Sequence, residues 1–264
     1  QQRPNAILLD AASTTALNPV VQRACAAGIK VITFDETATA PCADQVSVDV
    51  NLIGKAWANW FVKSLHGRGS VFEDQGLPGH GLSTLFDGAL QAQLKTYPNV
   101  KVVCNYLSQY AIGPEKQGVS QCLAAHAQVD GIWDLGYATG GMTDLVTSGH
   151  PQVPIVGGAY NNNTLTCYRL KGPCLFAAYP AYISVFALRT AVKVLDGGSV
   201  PKNQIIPFPF IQQGGANTTV PGEIVQKLQL HKNALPGLPP IPVPWQIPGL
   251  PGVTLQQIQA ASLG

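Results

Sequence analysis

The sequence predicts an α/β protein built on parallel sheets flanked by helices, and three observations carry that assignment. Short apolar, β-branched runs alternate with amphipathic stretches along most of the 264 residues. The first alternation is a complete βαβ unit: Ala6-Ile7-Leu8-Leu9-Asp10, a helix opening at Asn18-Pro19, and the run Val31-Ile32-Thr33-Phe34-Asp35-Glu36. A short right-handed crossover of that kind makes the two strands parallel. Several of the runs also end in carboxylates, and in open α/β sheets ligands lie just outside the carboxyl ends of the strands.

Taken in order, Asn18 reads as a helix N-cap with Pro19 in the first turn, and Gly28 stops that helix. A loop from Thr37 to Asp44 leads to a short strand, Val46 to Val50. Ala56, Trp57, Trp60, Phe61 and Leu65 then recur at helical spacing, which assigns those aromatics to the core. Strands follow at Ser70 to Asp74, Val100 to Cys104, Gly131 to Asp134 and Val153 to Val156. Helices are expected between them near Leu82 to Leu94, Glu115 to His126 and Met142 to Ser148. From Asn161 to Phe176 the alternation breaks, and a looped or hairpin excursion closed by Cys167 and Cys174 is expected. A helix resumes at Pro180 with Ile183, Phe186, Ala187, Ala191 and Val194 on one face. The last strand, Ile205 to Ile211, contains Pro207 and Pro209, which mark an edge or crossing segment. Seven prolines fall in the 29 residues from Pro236, so extended backbone is expected there until about Leu255.

Composition removes several function classes. Charged residues make up 11% and the net charge is +2, with no basic run, so nothing marks a nucleic-acid surface. No apolar stretch reaches the roughly 18 residues of a membrane span. The six cysteines fall as sequence neighbours, Cys25 with Cys42, Cys104 with Cys122 and Cys167 with Cys174. Six cysteines allow 15 pairings, and buried free thiols are the other reading. Neighbour pairing as three local disulfides is the expectation, in an exported protein.

Enzyme chemistry finds no foothold. The sequence has no G-x-S-x-G elbow, H-E-x-x-H or C-x-x-C, its five histidines are scattered, and His80 near Ser83 lacks an orienting acid. Gly136 and Gly140-Gly141 do not form a dinucleotide fingerprint. No catalytic residue, metal or cofactor is expected.

Asp10-Ala11-Ala12-Ser13 through Leu17-Asn18-Pro19, then Ala26-Ala27-Gly28-Ile29-Lys30-Val31-Ile32-Thr33-Phe34-Asp35, Tyr97-Pro98, Val129-Asp130-Gly131-Ile132-Trp133, Val153-Pro154-Ile155-Val156-Gly157 and Leu195-Asp196-Gly197 stand in a characteristic order. Together, over residues 5–210, they resemble the sugar-binding proteins of ABC transporters, similar to ribose-binding protein. The resemblance implies a two-lobe periplasmic-binding-protein type I fold with the solute between the lobes. It places lobe one at residues 1–52 plus 179–205, lobe two at 53–178 plus 206–213, and a proline-rich tail at 214–264. The first phrase matches the family's third strand, so lobe one is expected to be incomplete. The resemblance implies a membrane permease as partner; with the cysteine content it points to a periplasmic location, and a monomer with no nucleic-acid partner is expected.

The resemblance aligns Asp35 with the family's ligand aspartate, the bland alternative being a turn residue. The family's sugar-reading polar residues are otherwise replaced: Glu36 and Ser83 stand where arginines are usual, and Gly136, Ala159 and Ala178 where asparagine, aspartate and glutamine are usual. Tyrosines cluster near these loops instead. The candidate ligand-binding set is therefore Asp35, Glu36, Ser83, Tyr110, Tyr137, Tyr160, Asn161 and Tyr179, since a tyrosine offers a face for stacking and a hydroxyl for hydrogen bonding. A small sugar-like or polyol solute fits that set. The other readings are the ligand-sensing domain of a lactose-repressor-type regulator and, less favoured, a small-molecule hydrolase.

Overall fold

The strand and helix alternation resolves into two sheets, each at the centre of its own unit. The computed structural model describes residues 3–178 and 183–236. Unit 1 comprises Gln1–Asp49, Gly79–Leu82 and Pro180–Pro207; unit 2 comprises Val50–Pro78, Ser83–Tyr179 and Phe208–Gly264.

Among its described residues, unit 1 holds four parallel strands in the order β1 (Ala6–Leu9), β2 (Lys30–Phe34), β3 (Asp44–Ser47) and β9 (Asn203–Ile205). Helix α1 (Asn18–Ala26) crosses from β1 to β2, and α7 (Ile183–Leu195) packs across β2 with contacts to β1 and β3. The face of α7 read from the sequence is the packed one: Ile183, Ala187 and Ala191 are buried, with Thr190 beside them. The small Ala187 and Ala191 suit close packing of the helix on β2 and β3, whose Ile32 and Val46 are fully buried. Gln204 Nε2 donates to Thr190 Oγ1 at 3.0 Å, and Lys202 Nζ lies 3.0 Å from Asp44 Oδ1, which fastens the last strand to the helix and to β3.

Among its described residues, unit 2 holds seven strands in the order β11-β10-β8-β7-β6-β4-β5. Strands β8, β7, β6, β4 and β5 are mutually parallel, while β10 pairs antiparallel with β8. The parallel part consists of β4 (Arg68–Asp74), β5 (Asn99–Tyr106), β6 (Gly131–Trp133), β7 (Ile155–Gly158) and β8 (Cys174–Ala177). Its crossovers are α3 (Gly81–Thr96), α4 (Ile112–Ala125), α5 (Thr139–Thr147) and α6 (Asn161–Leu170). Helix α2 (Val50–Ser64) carries the aromatics assigned to the core, and Trp57, Trp60 and Phe61 are all buried. Trp57 and Phe61 meet Trp133 of β6 edge to face, with ring centroids 6.2 and 5.7 Å apart. A Cβ on Gly131 would lie 2.8 Å from the Phe61 ring, so glycine is what lets helix and sheet approach.

Four expectations are corrected. Asn18 does not cap α1: it is the first helical residue, and its Nδ2 donates to Thr39 Oγ1 at 2.7 Å, tying the helix start to the loop after β2. The stretch from Asn161 to Phe176 is a further helix and strand rather than an excursion. Helix α6 ends at Lys171, whose left-handed φ of 55° turns the chain directly into β8. The proline-containing run is not one strand: β9 ends at Ile205 in unit 1, and β10 (Phe210–Gln213) starts in unit 2. The region given to the tail from residue 214 begins as structure. Strand β11 (Val225–Lys227) pairs with β10, and Leu228, Ala234 and Leu235 are buried.

All three neighbour pairs of cysteines form disulfides, with Cα–Cα distances of 6.3 Å for Cys25–Cys42, 5.7 Å for Cys104–Cys122 and 6.7 Å for Cys167–Cys174. These lie inside the roughly 4.4–6.8 Å that the bond requires. Cys104, near the end of β5, and Cys122, in the last turn of α4, come within reach because α4 packs back along β5. Mass spectrometry of a non-reduced digest should find these three cross-linked peptides and no alkylatable thiol. Six alkylatable thiols in protein isolated from its native compartment would contradict both the pairing and the oxidising environment it implies.

Candidate functional site

The candidate residues fall on two surfaces, one in each unit. In unit 1, Asp35 directly follows β2, and its N–H continues the ladder by donating to Val46 O at 3.2 Å. Its φ of 62° is left-handed, a conformation that costs a residue with a Cβ about 1–2 kcal/mol and that Asp tolerates better than most. The half-buried Asp35 is thus held at the carboxyl end of the strand. Glu36 is buried. Its Oε2 lies 2.9 Å from His80 Nε2 and its Oε1 accepts the Gly81 N–H at 3.2 Å. A Cβ at residue 81 would collide with that carboxylate. Glu36, expected among the ligand contacts, is therefore a residue that holds the Gly79–Leu82 segment in place. Beside it, burial raises the Asp10 carboxyl, and the Glu36 backbone and the His80 charge pull it partly back.

In unit 2 the surface is the edge where the parallel strands end. Ser83 lies in the first turn of α3 and is buried. Its Oγ accepts the Leu77 N–H at 3.1 Å and lies 2.8 Å from Tyr110 Oη. Tyr110 is reached through two successive left-handed residues, Gln109 at φ 51° and Tyr110 at φ 53°. Such strain persists only where surrounding contacts fix it. Here Gln109 N donates to Gly76 O at 3.1 Å, Tyr110 N to Ser108 Oγ at 3.2 Å, and Ala111 N to Ser108 O at 2.9 Å. Tyr137 and Tyr160, in the loops after β6 and β7, stack with ring centroids 4.5 Å apart and planes 13° from parallel. Gly158 makes room for that stack, since a Cβ there would lie 2.5 Å from the Tyr160 ring.

Asn161 is fully buried and spent on the chain itself. Its Nδ2 donates to Leu235 O at 3.0 Å and its Oδ1 accepts the Leu235 N–H at 2.9 Å. Tyr179 lies outside the described residues. The structure thus brings Ser83 to Tyr110 and Tyr137 to Tyr160, and turns Glu36 and Asn161 inward. Among the described residues there is no cluster of three metal-ligating side chains.

Four buried polar residues that the sequence reading left out of the candidate set hold these loops. Asn163 Nδ2 donates to Gly136 O at 2.7 Å and to Gly158 O at 2.8 Å, while its Oδ1 accepts the Thr139 N–H and hydroxyl. Asp74 Oδ1 accepts the Gly76 and Ser108 N–H groups at 2.8 and 2.9 Å, and its Oδ2 accepts the Ser108 hydroxyl at 2.6 Å and the Leu135 N–H at 3.3 Å. Asp134 Oδ1 accepts the Gly136 N–H at 2.7 Å. Glu115 accepts the Gly141 and Gly140 N–H groups at 2.9 and 3.1 Å. An acid at a strand end was visible for Asp74 and Asp134; nothing local distinguishes Glu115 or Asn163.

The three carboxylates share a buried interior. Burial raises Asp74, and the four donors around it pull it partly back. Burial pushes Glu115 up to about 8, against the pull of the Gly140 and Gly141 N–H groups and of its hydrogen bond with Asp134. Asp134 is raised well above its ordinary value by burial and by the Glu115 and Asp74 charges. The Tyr106 hydroxyl beside them is held protonated by burial and by the same charges.

A stability consequence follows with a definite sign. Above the ordinary glutamate value near 4.5 the unfolded chain releases a proton that folded Glu115 keeps until about pH 8. The contribution is fully present below pH 4.5 and is lost as pH rises towards 8, by at most about 1.4 kcal/mol per pH unit for each such group. Urea unfolding between pH 5 and 8 should show stability falling with pH, and Glu115→Gln should flatten that slope whatever its effect on absolute stability. A variant slope equal to that of the wild type would place the bound proton elsewhere.

A model described as a periplasmic binding protein domain matches residues 1–199. No curated protein matches in sequence. Among solved structures, an ABC transporter solute-binding protein of Thermobispora bispora is 27% identical with a TM-score of 0.72, covering 78% of this chain and 64% of its own. The periplasmic component of an arabinose ABC transporter from a Shewanella species, bound to L-arabinofuranose, is 17% identical with a TM-score of 0.73, over 80% of this chain and 74% of its own. A periplasmic solute-binding protein of Actinobacillus succinogenes with bound D-allose is 19% identical with a TM-score of 0.66, over 78% and 77%. The chain thus spans just under two thirds of the Thermobispora protein's length. These neighbours are solute-binding proteins. The α/β fold with parallel-dominated sheets is theirs as well, and the chain belongs to the periplasmic binding protein domain family.

Proposed function

We propose that this chain is the solute-capturing component of an ABC transporter, with a small sugar or polyol as its solute. The observation that carries the reading is the Tyr137–Tyr160 stack, set at the carboxyl-end edge of the unit 2 sheet within reach of the same loops as Tyr110. Aromatic faces pack against the C–H faces of a pyranose or furanose ring, while phenol hydroxyls exchange hydrogen bonds with its hydroxyls. Asp35 offers an ionised acceptor on unit 1. The sugars held by the solved neighbours support the same class.

In this reading the direct contacts are Asp35, Tyr110, Tyr137 and Tyr160, with Tyr179 retained from its sequence position. Glu36, Ser83 and Asn161 support them from behind, because their polar atoms are engaged with His80 and Gly81, with Leu77 and Tyr110, and with Leu235. The two units serve as the two lobes of the family's fold, and a membrane permease is the partner. Three disulfides favour an oxidising compartment outside the cytosol, the periplasm in the family's usual setting.

Thermal-shift screening against L-arabinose, D-allose, D-fucose and a polyol panel should give at least one hit, since a ligand of the native state raises the melting temperature by mass action. Calorimetry with the hit should show Asp35→Asn weakening binding roughly 10- to 150-fold, the range for a lost charged hydrogen bond of about 1.5–3 kcal/mol. Alanine at Tyr110, Tyr137 and Tyr160 should weaken it at two or more positions. A flat screen at millimolar sugar would end the sugar reading, and an unchanged Asp35→Asn would return Asp35 to the role of turn residue.

A further inference from the structure

We infer that Asp74 is the positioning residue of the unit 2 surface: its carboxylate fixes the loops that carry Ser83, Tyr110 and Tyr137 relative to one another. The meaning given to those loops rests on the proposed function; the fixing itself rests on geometry.

Strand β4 lies between β6 and β5 in the sheet, so its last residue is flanked by the ends of both neighbours. Asp74 is that residue, and it is fully buried. Its four accepted hydrogen bonds come from three different loops: Gly76 after β4, Ser108 after β5 and Leu135 after β6. Ser83 lies downstream of the first loop, and Tyr110 and Tyr137 lie two residues beyond the second and third contacts. The Ser108 contact is transmitted further. The Ser108 hydroxyl that donates to Asp74 also accepts the N–H of Tyr110, whose hydroxyl meets Ser83 at 2.8 Å. One carboxylate therefore orders a closed circuit running from β4 through Ser108 and Tyr110 to Ser83, and from there through Leu77 back to the β4 loop.

The chemistry of the site selects an aspartate. An ionised carboxylate is acceptor-only and has about four lone-pair positions, matched here by four donors. Asparagine has one acceptor oxygen and an NH2 group that donates. Whichever way its amide is turned, either the Leu135 N–H or the Gly76 and Ser108 N–H pair faces a donor. The Ser108 hydroxyl can rotate to compensate, but a backbone N–H cannot. An apolar residue would leave three buried N–H groups without an acceptor, a costly arrangement.

The test uses Asp74→Asn, with Val100→Ala, a buried substitution near the opposite end of β5, as the control for general destabilisation. Site-resolved amide hydrogen exchange on the ligand-free protein should show Leu135, or Gly76 with Ser108, exchanging at least tenfold faster in Asp74→Asn. Tyr110 and Tyr137 should accelerate with them, while the amides of β7 and β8 stay as in the wild type. Val100→Ala should not give this pattern. Unchanged loop exchange in Asp74→Asn, or the same pattern in Val100→Ala, would overturn the inference. L-arabinose and D-allose serve as binding probes in parallel. If the wild type binds either one, Asp74→Asn should bind it at least tenfold more weakly, and equal affinity would overturn the positioning role. If the wild type binds neither, the failure falls on the sugar reading, and the exchange data alone decide the case of Asp74.

Discussion

Because β4, β5, β6 and β7 run parallel, their carboxyl ends open onto one edge, and every loop leaving that edge brings backbone N–H groups that no strand partner satisfies. In unit 2 those donors turn inward, so the edge must supply buried acceptors. Asp74, Asp134, Glu115 and Asn163 meet this demand: Asp74, Glu115 and Asn163 accept N–H groups from loops or helix starts other than their own, and Asp134 accepts that of Gly136 in its own loop. What faces outward is then free to be aromatic: Tyr137 and Tyr160 can stack because the chain behind them is already tied.

The cost of this arrangement is electrostatic. Only 11% of the residues are charged, yet three carboxylates share one buried interior with the Tyr106 hydroxyl. Backbone donors hold Asp74 towards its charged form, whereas burial raises both Glu115 and Asp134 and so favours their protonated, uncharged forms. No cation joins this cluster among the described contacts. The same interior therefore orders the loops and makes the fold's stability depend on pH.

Much of the fold was legible in the sequence because hydrophobic spacing reports burial directly. Trp57, Trp60 and Phe61 announced the packed face of α2, and Ile183, Ala187 and Ala191 that of α7. Helix α6 was not legible for the converse reason. Asn161, Asn163 and Thr164 occupy its buried face, each satisfied by hydrogen bonds, so the polar residues that usually signal a loop here line the interior. The break between β9 and β10 was half legible: Pro207 and Pro209 showed that a regular strand was interrupted, but not that its halves belong to different sheets. At the candidate site the sequence could point to Asp35 and the tyrosines by residue type. It could not show that Glu36 and Asn161 are consumed internally, because that depends on His80, Gly81 and Leu235 arriving from distant parts of the chain.

The cysteine pairing has a kinetic side. Each disulfide joins a cysteine to its sequence neighbour, at separations of 17, 18 and 7 residues. The entropy lost in closing a loop grows with the logarithm of its length, so the shortest loops close most readily. An unfolded chain sampling its fifteen possible pairings therefore meets the native set early, before any long-range contact has formed, and each bond can form with little risk of trapping a distant segment. Oxidation and folding of this chain need not wait for one another.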